Sequence, residues 1–462
     1  MEFKILSKSL ADGKTATFYY NNMTNELFNE QRVPIRHETA IPSPEGQFKF
    51  NFDEPEPWTK TKQVSTLKIQ LGLSCNYACV YCSQRFVARP EEMTKAQVAG
   101  FMKKLDNLEF SEEKGLKIEL WGGEPFVYFK TIVPLVAALK ERFQDWQNQP
   151  RFSIITNGSL LNGEVCKWIL ENNIGIAVSH DGPGQHMRGP DPFEDEEIKN
   201  NVLFLYSILR PKNMMSFNSM LNRGNISRKE IYDWFVEFTG DPNVPLGEGG
   251  LIDPYDEGGY SSSLETHEEH FNFRKTAFND IFSTQGRVGF MSIVGKVDGQ
   301  INRILNAKSS EDMGQKCGMD LPDVLAIDLK GNVLTCQNTS IVQKAPNGEQ
   351  HLSGNIDDMS KVKIKTSTHW KDRPDCSKCP VLSLCGGSCM YLQGDYWTRA
   401  CDNSFTDNIA LFALALERIT GMIPIYIDAD HLPPERKDIW GDILYKRFLE
   451  EKEVNDGQAR AT

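Results

Sequence analysis

The chain has 462 residues, 40% hydrophobic and 25% charged, enough apolar material for two or three structural units with sizeable cores. A formal net charge of −12 argues against a general nucleic-acid binder or an anionic-membrane binder, since both reward a basic face. The start, Met1-Glu-Phe-Lys-Ile, lacks a basic-then-apolar signal pattern, and no apolar run reaches the roughly 18 residues of a membrane span, so a cytoplasmic location is expected.

Residues 1–63 read as a β-rich extension: Thr15 to Tyr20 is strand-like, Asn21-Asn22 is turn-like, and a Pro-rich stretch runs from Pro42 to Pro57. Such a segment offers a sheet edge to an extended peptide. From 64 to 260, strand and helix patterns alternate, the sign of βα units around a parallel sheet. Candidate strands are Leu67–Leu71, Leu116–Trp121, Phe152–Thr156, Gly175–Ser179, Met215–Leu221 and Val244–Ile252. The helices between them are expected over Thr94–Leu108, Thr131–Trp146, Gly163–Glu171, Glu194–Leu209 and Ser227–Phe238, with apolar residues at helical spacing such as Ile132, Leu135, Val136, Leu139 and Phe143. Six units predict an α/β fold built on a partial (βα)6 barrel, its site on the loops after the strand C-termini.

Residues 261–313 read as a helical bridge containing a helix over Ser263–Phe282. A cysteine-rich segment over 314–405 has few long apolar runs, so metal cross-links are expected to order it. Residues 406–462 predict a helix from an Asp407 cap to Thr420, stopped by Gly421, and a frayed polar tail from Glu451.

Eleven cysteines suit thiolate ligation better than disulfides in a reducing compartment. Three lie on one loop after the first strand, Leu71-Gly-Leu-Ser-Cys75-Asn-Tyr-Ala-Cys79-Val-Tyr-Cys82. A closed zinc site or fully ligated cluster wants four protein ligands, so three suggest a cluster with one iron open to a small molecule. This CxxxCxxC loop closely resembles that of the radical S-adenosylmethionine (radical SAM) family. Gly122-Gly123-Glu124-Pro125, Thr156-Asn157-Gly158 and Ser179-His180-Asp181-Gly182-Pro183 resemble that family's GGEP, TNG and SxDGP stretches, each at the end of a predicted strand.

The resemblance implies a 4Fe-4S cluster on Cys75, Cys79 and Cys82 whose open iron chelates the methionine part of S-adenosylmethionine. Reductive cleavage then gives a 5'-deoxyadenosyl radical that takes a hydrogen atom from substrate. It further implies that Gly122, Gly123, Glu124 and Pro125 approach the ammonium, that Asn157, Ser179 and Asp181 serve the ribose and methionine ends, and that Tyr81 packs near the adenine. Arg188 is the expected bidentate partner of the methionine carboxylate. Singly, TNG and DGP are ordinary turn chemistry; four such stretches in strand order behind the thiol loop favour the cofactor reading.

Cys317, Gly331 and Cys336, then Cys376-x2-Cys379-x5-Cys385-x3-Cys389 and Cys401, resemble the SPASM extension of peptide- and protein-maturing radical SAM enzymes. The resemblance implies a small α+β domain with two auxiliary 4Fe-4S clusters, making three in all. One would sit on Cys317, Cys336 and Cys389, the other on Cys376, Cys379, Cys385 and Cys401. No eighth cysteine closes the first, leaving water, another side chain or a substrate atom as its fourth ligand. In isolation the array would read as zinc, since CxxC pairs are commoner in zinc ribbons.

His267-Glu-Glu-His270 superficially suggests a zinc protease, but its histidines are three apart rather than four, and a solvated helix face is expected. Cys166 reads as apolar filler, and Tyr391, Tyr396 and Trp397 as packing around a cluster.

Together the resemblances imply a peptide- or protein-modifying oxidoreductase, with a precursor peptide or protein as substrate and flavodoxin or ferredoxin as reductant. Maturation of a ribosomally made peptide by thioether or carbon–carbon cross-linking leads; epimerisation and formylglycine-type sulfatase maturation are alternatives, as is a non-catalytic iron-sulfur or zinc protein. Sulfatase-maturing members resemble one another in an Asp directly after the second auxiliary cysteine, where this chain has Gln337.

Overall fold

Burial alternates along each central strand, and this decides which face meets helices and which stays open. In a computed structural model, residues 1–40, 59–85, 87–284, 290–345, 348–364 and 368–441 are described. The chain opens with β1 (Glu2–Lys8), β2 (Thr15–Asn21) and the short β3 (Leu27–Phe28). The βα units follow: β4 (Thr66–Gln70), α1 (Val98–Lys104), β5 (Lys117–Trp121), α2 (Phe129–Arg142), β6 (Arg151–Thr156), α3 (Gly163–Asn172), β7 (Gly175–Ser179), α4 (Glu196–Leu209), β8 (Met215–Leu221), α5 (Arg228–Thr239) and β9 (Leu246–Leu251). Helix starts carry the expected caps, Asn162 for α3, Asp195 for α4 and Ser227 for α5.

Strands β4 to β9 lie side by side in chain order, all parallel. Their helix-facing residues Leu67, Ile69, Ile118, Leu120, Ile154, Val178 and Phe217 are fully buried. Burying each such side chain stabilises by about 1.5–3 kcal/mol. The opposite face carries Lys68, Glu119, Ser153, Ser179 and Asn218 together with Trp121, Ile155, Ala177 and Met220, none of them buried. A strand face left open in this way, mixing polar and apolar side chains, suits a ligand.

Beyond the barrel run α6 (Glu257–Ser261), α7 (His267–Ser283), α8 (Met291–Leu305), β10 (Val324–Asp328), β11 (Asn332–Leu334), β12 (Leu352–Asn355), α9 (Leu382–Cys385), α10 (Gly394–Thr420) and β13 (Ile423–Asp428). Strand β10 pairs in parallel with β4, Val324 to Thr66 through Asp328 to Gln70, and β11 and β12 follow antiparallel. The cysteine-rich segment thus continues the barrel sheet, giving the nine-stranded order β9-β8-β7-β6-β5-β4-β10-β11-β12. Backbone pairing therefore contributes to its order.

Two expectations for the C-terminal part are corrected. The last long helix begins at Gly394 rather than Asp407, and Asp407 is a buried mid-helix residue paired with the fully buried Arg228. The residues after it are not helical throughout: β13 pairs with β1, closing a second sheet of order β13-β1-β2-β3. Helix α10 is apolar all round from Ile409 to Leu416 and packs against α7, α8 and β13, as a central helix must. The Pro-rich stretch from Pro42 to Pro57 and the tail from Glu451 lie outside the described residues. Among the described residues no helix is long and apolar enough to cross a membrane.

Candidate active site

The thiol loop leaves the end of β4, and its neighbours fix it from three sides. Leu71 N donates to Trp121 O at 2.9 Å, and Met93 N donates to Leu71 O at 3.0 Å. Gly123 lies so close beneath that a Cβ would sit 2.4 Å from Ser74 O and 2.6 Å from Leu73 O; only glycine fits. Glu124 N donates to Ser74 O at 3.0 Å. Cys75, Cys79 and Cys82 are half-buried, and burial raises all three thiols, Cys79 to about 12. Ligation to a metal would reverse that shift, because a coordinating thiol is deprotonated.

Glu124 has a task the sequence reading did not give it. Its carboxylate is buried and accepts from Phe126 N at 3.0 Å, Thr156 Oγ1 at 2.8 Å and Asn157 N at 2.7 Å. Those donors use the carboxylate to pin the TNG turn to the GGEP turn. Asn157 in turn donates from Nδ2 to Asn76 Oδ1 at 2.8 Å, tying that turn to the thiol loop.

Tyr81, Asp181 and Arg188, expected in three separate roles, form one buried group. The Tyr81 hydroxyl donates to Asp181, whose Oδ1 also accepts from Met220 N at 2.9 Å. Arg188 Nε pairs with Asp181 Oδ1 at 3.0 Å, and its guanidinium carbon lies 5.7 Å from the centre of the Tyr81 ring. A guanidinium held at Nε in this way can still present its remaining N–H groups to a second carboxylate. His180 holds the base of this loop: Nδ1 accepts from Gly182 N at 3.0 Å, Nε2 lies 3.0 Å from Asp191 Oδ1, and the ring stacks between Phe193 and Trp234. Ser179 ends β7 opposite Asn218 on the open face.

The remaining thiols fall into two sets. Burial first, then Cys317 and Cys389, push Cys336 to about 12; Cys389 rises to about 11 through burial, with Asp253 and Cys317 contributing. Cys376 is raised by burial and then by Cys385, Cys401 and Cys379; Cys379 reaches about 12. Members of each set therefore feel one another's charge. Among the described residues no three His, Cys, Asp or Glu side chains converge on a single ion. A tetrahedral zinc would need thiolates about 3.8 Å apart, from Zn–S bonds of about 2.3 Å.

Several contacts were not legible beforehand. Tyr255 brings its hydroxyl to Cys389, and its side chain is 38% exposed. Lys68 and Glu119 pair at 3.5 Å on the open face of β4 and β5. Arg436 donates to Cys401 Sγ at 3.4 Å, and Arg373 lies flat over Trp397 at 3.4 Å. Tyr396 packs edge-on to Tyr260, and Tyr391 edge-on to His351, as packing residues would. Cys166 is buried on α3. His270 departs from the solvated face expected for it: it is buried against α10, with Nδ1 2.7 Å from Thr406 Oγ1.

The radical SAM superfamily pattern matches residues 69–195. The radical SAM cyclopropyl synthase TigE of Paramaledivibacter caminithermalis is 23% identical over 407 residues, 80% of this chain and 76% of that protein. The cysteine-type anaerobic sulfatase-maturating enzyme of Clostridium perfringens is 26% identical over 348 residues, 68% of this chain and 85% of that protein. The fold resembles a solved structure of native anSMEcpe with bound AdoMet and Cp18Cys peptide, with TM-score 0.54 and 21% identity over 77% of this chain and 99% of that one.

Proposed function

We propose that this radical SAM enzyme, whose domain of that name spans residues 69–195, modifies a ribosomally made peptide or protein by oxidative cross-linking, forming a thioether or carbon–carbon bond. The observation that carries the reading is the gathering of Cys75, Cys79 and Cys82 with the GGEP, TNG and SxDGP turns at the C-terminal ends of β4 to β7, above the open strand face. The similarity to a cyclopropyl synthase and a sulfatase-maturating enzyme supports it, since the first relative's name denotes closure of a carbon ring.

The residues present fit the cofactor set: three half-buried thiols beside a close-packed glycine turn, a guanidinium held at Nε by Asp181, and two further thiol groups. When bound, the loop cluster and S-adenosylmethionine supply a 5'-deoxyadenosyl radical for hydrogen abstraction. Cys75, Cys79 and Cys82 would hold that cluster. The backbone of Gly122, Gly123 and Pro125 would receive the amino-acid end, with Glu124 fixing the turn's shape. Arg188 would take the carboxylate, Asn157, Ser179 and Asp181 would order the ribose and methionine ends, and Tyr81, held by Asp181, would pack near the adenine. Cys317, Cys336 and Cys389 would hold one auxiliary 4Fe-4S cluster and Cys376, Cys379, Cys385 and Cys401 a second, which accept the electron released on bond formation or orient the peptide.

Formylglycine formation is the second reading, favoured by the sulfatase-maturating relative. Gln337 weighs against it, because an amide cannot accept a proton as a carboxylate does.

Anaerobic reconstitution tests both readings: about 11 to 12 irons per chain, 5'-deoxyadenosine with dithionite, and a peptide product lacking two hydrogens are expected. Zinc in place of iron, or no cofactor cleavage, would overturn the proposal. A product aldehyde would instead select formylglycine.

A further inference from the structure

The two loops that carry the first auxiliary thiols meet on one carboxylate from the barrel. Asp253 lies two residues beyond the end of β9. Its Oδ1 accepts from Ser388 Oγ at 2.9 Å, and its Oδ2 lies 3.7 Å from Lys316 Nζ. Lys316 immediately precedes Cys317, and Ser388 immediately precedes Cys389. One side chain thus reaches both approaches to a single proposed cluster.

The carboxylate is itself fixed. Ile252 N donates to Leu221 O at 3.0 Å, and Asn403 Nδ2, on α10, donates to Ile252 O at 2.9 Å. The Asp253 side chain is 11% exposed and that of Lys316 44%, so the carboxylate is the buried end of the pair. The loops are further joined by Gln315 Nε2 to Ser388 O at 2.8 Å and Lys316 N to Gly386 O at 3.0 Å.

Backbone strain points to the same place. Ser388 has φ of +50°, a left-handed conformation that side-chain-bearing residues adopt only at a penalty. It persists only where surrounding contacts over-determine it, and Asp253 and Gln315 supply them from either side. Relaxation of Ser388 would turn the following Cys389 away from Cys317 and Cys336.

We infer that Asp253 is the positioning residue of the first auxiliary site, a clasp that holds the Cys317 and Cys389 loops in ligating register and anchors them to the last barrel strand. The inference rests on the auxiliary-cluster reading above. It assigns Asp253 no contact with substrate. It also places a carboxylate next to the site whose sequence neighbour, Gln337, lacks one.

The test compares reconstituted wild type with Asp253→Ala, Asp253→Asn and Asp253→Glu, reading iron per chain, the EPR spectrum of the dithionite-reduced protein, and 5'-deoxyadenosine. Asp253→Ala is expected to fall from about 12 to about 8 irons per chain, losing one spectral component while still cleaving cofactor. Asp253→Asn keeps an acceptor for Ser388 but loses the charge facing Lys316, so it should retain iron with a shifted component; Asp253→Glu should restore most of the wild-type spectrum. Wild-type iron and an unchanged spectrum in Asp253→Ala would overturn the inference. So would equal loss of all three clusters, which would make Asp253 a general folding residue. Wild type holding only about four irons would overturn the auxiliary-cluster reading, and this inference with it.

Discussion

Gln70 Nε2 donates to Gln337 O at 2.7 Å and to Thr339 O at 2.6 Å, so the last residue of β4 holds the chain just beyond Cys336. Residue 71 then begins the thiol loop. One amide therefore sits between the proposed radical-generating cluster and the first auxiliary set, and fixes their relative position through the backbone. Gln70→Leu would leave two buried carbonyls without donors, at about 1–3 kcal/mol each. Denaturant unfolding of the apoprotein should show that loss. An unchanged midpoint would mean that water or another donor replaces the amide.

The three thiol groups should separate by function. Cys75→Ala removes a ligand of the proposed cofactor-binding cluster and is expected to abolish 5'-deoxyadenosine formation. Cys401→Ala lies in the other set and should keep part of that cleavage while losing peptide product. Equal loss of cleavage in both, measured by chromatography of dithionite-reduced samples, would mean that the second auxiliary cluster is needed for the fold.

Asn22 shows why the N-terminal sheet is not a detachable lead-in. Its Nδ2 donates to Ser377 O and Cys379 O, both at 2.9 Å, and its side chain is fully buried. Residues 1–40 thus brace the Cys376–Cys379 turn, and β1 is paired with β13 at the far end of the chain. Asn22→Ala should destabilise by about 1–3 kcal/mol and reduce iron in the second auxiliary set more than elsewhere. Deleting the segment would remove these supports together, so a loss of peptide affinity after such a deletion would not by itself locate a peptide site.

What the sequence disclosed, and what it hid, follows from the range of the interactions. Strand β8 was readable because Met215, Phe217, Ser219 and Leu221 alternate with half-buried residues over one short stretch. The thiols were readable because a ligand loop is local. The first turns of α10 were not: Arg399, Asp402 and Asn403 are polar because they serve distant partners, Leu264, Arg436 and Ile252. Strand β13 contains Pro424, and its pairing partner is β1, at the other end of the chain. Asp253, Gln70 and Arg436 are single polar residues whose meaning lies in a partner far away in sequence. The GGEP motif marks Glu124 because it is local, whereas its bonds to Thr156 and Asn157 join two turns that are distant in sequence.

His270 gives the protein an acid-sensitive point. Burial, followed by the nearby Arg274, lowers its pKa from 6.5 to about 4. The folded state thus favours the neutral ring, while the unfolded chain takes a proton below 6.5. Stability from this group is complete above pH 6.5 and declines as pH falls toward 4. Across 2.5 units at about 1.36 kcal/mol each, the loss approaches about 3 kcal/mol. Denaturant unfolding at pH 7 and pH 5 should show a smaller difference for His270→Gln than for wild type. An equal difference in the two proteins would place the acid sensitivity elsewhere.

Arg436 leads to a prediction about potential rather than stability. Its guanidinium donates to Cys401 Sγ at 3.4 Å and pairs with Asp402 at 2.7 Å. Cys401 is the last thiol of the four-member set, and Arg436 is the cation that most offsets burial there. A hydrogen bond and a positive charge at a ligating sulfur favour the reduced, more negative cluster, and so raise its potential. Arg436→Gln keeps an N–H near the sulfur but removes the charge, and Arg436→Leu removes both. The midpoint potential of that cluster should fall in the order wild type, Gln, Leu. A shift of about 60 mV would correspond to about 1.4 kcal/mol for one electron. Potentiometric titration followed by EPR would show it, and the radical-generating cluster, held by the distant Cys75 loop, should titrate unchanged. A parallel shift in both clusters would mean that the substitution disturbs the whole fold, and no shift in either would mean that Asp402 holds Arg436 away from the sulfur once the cluster is in place.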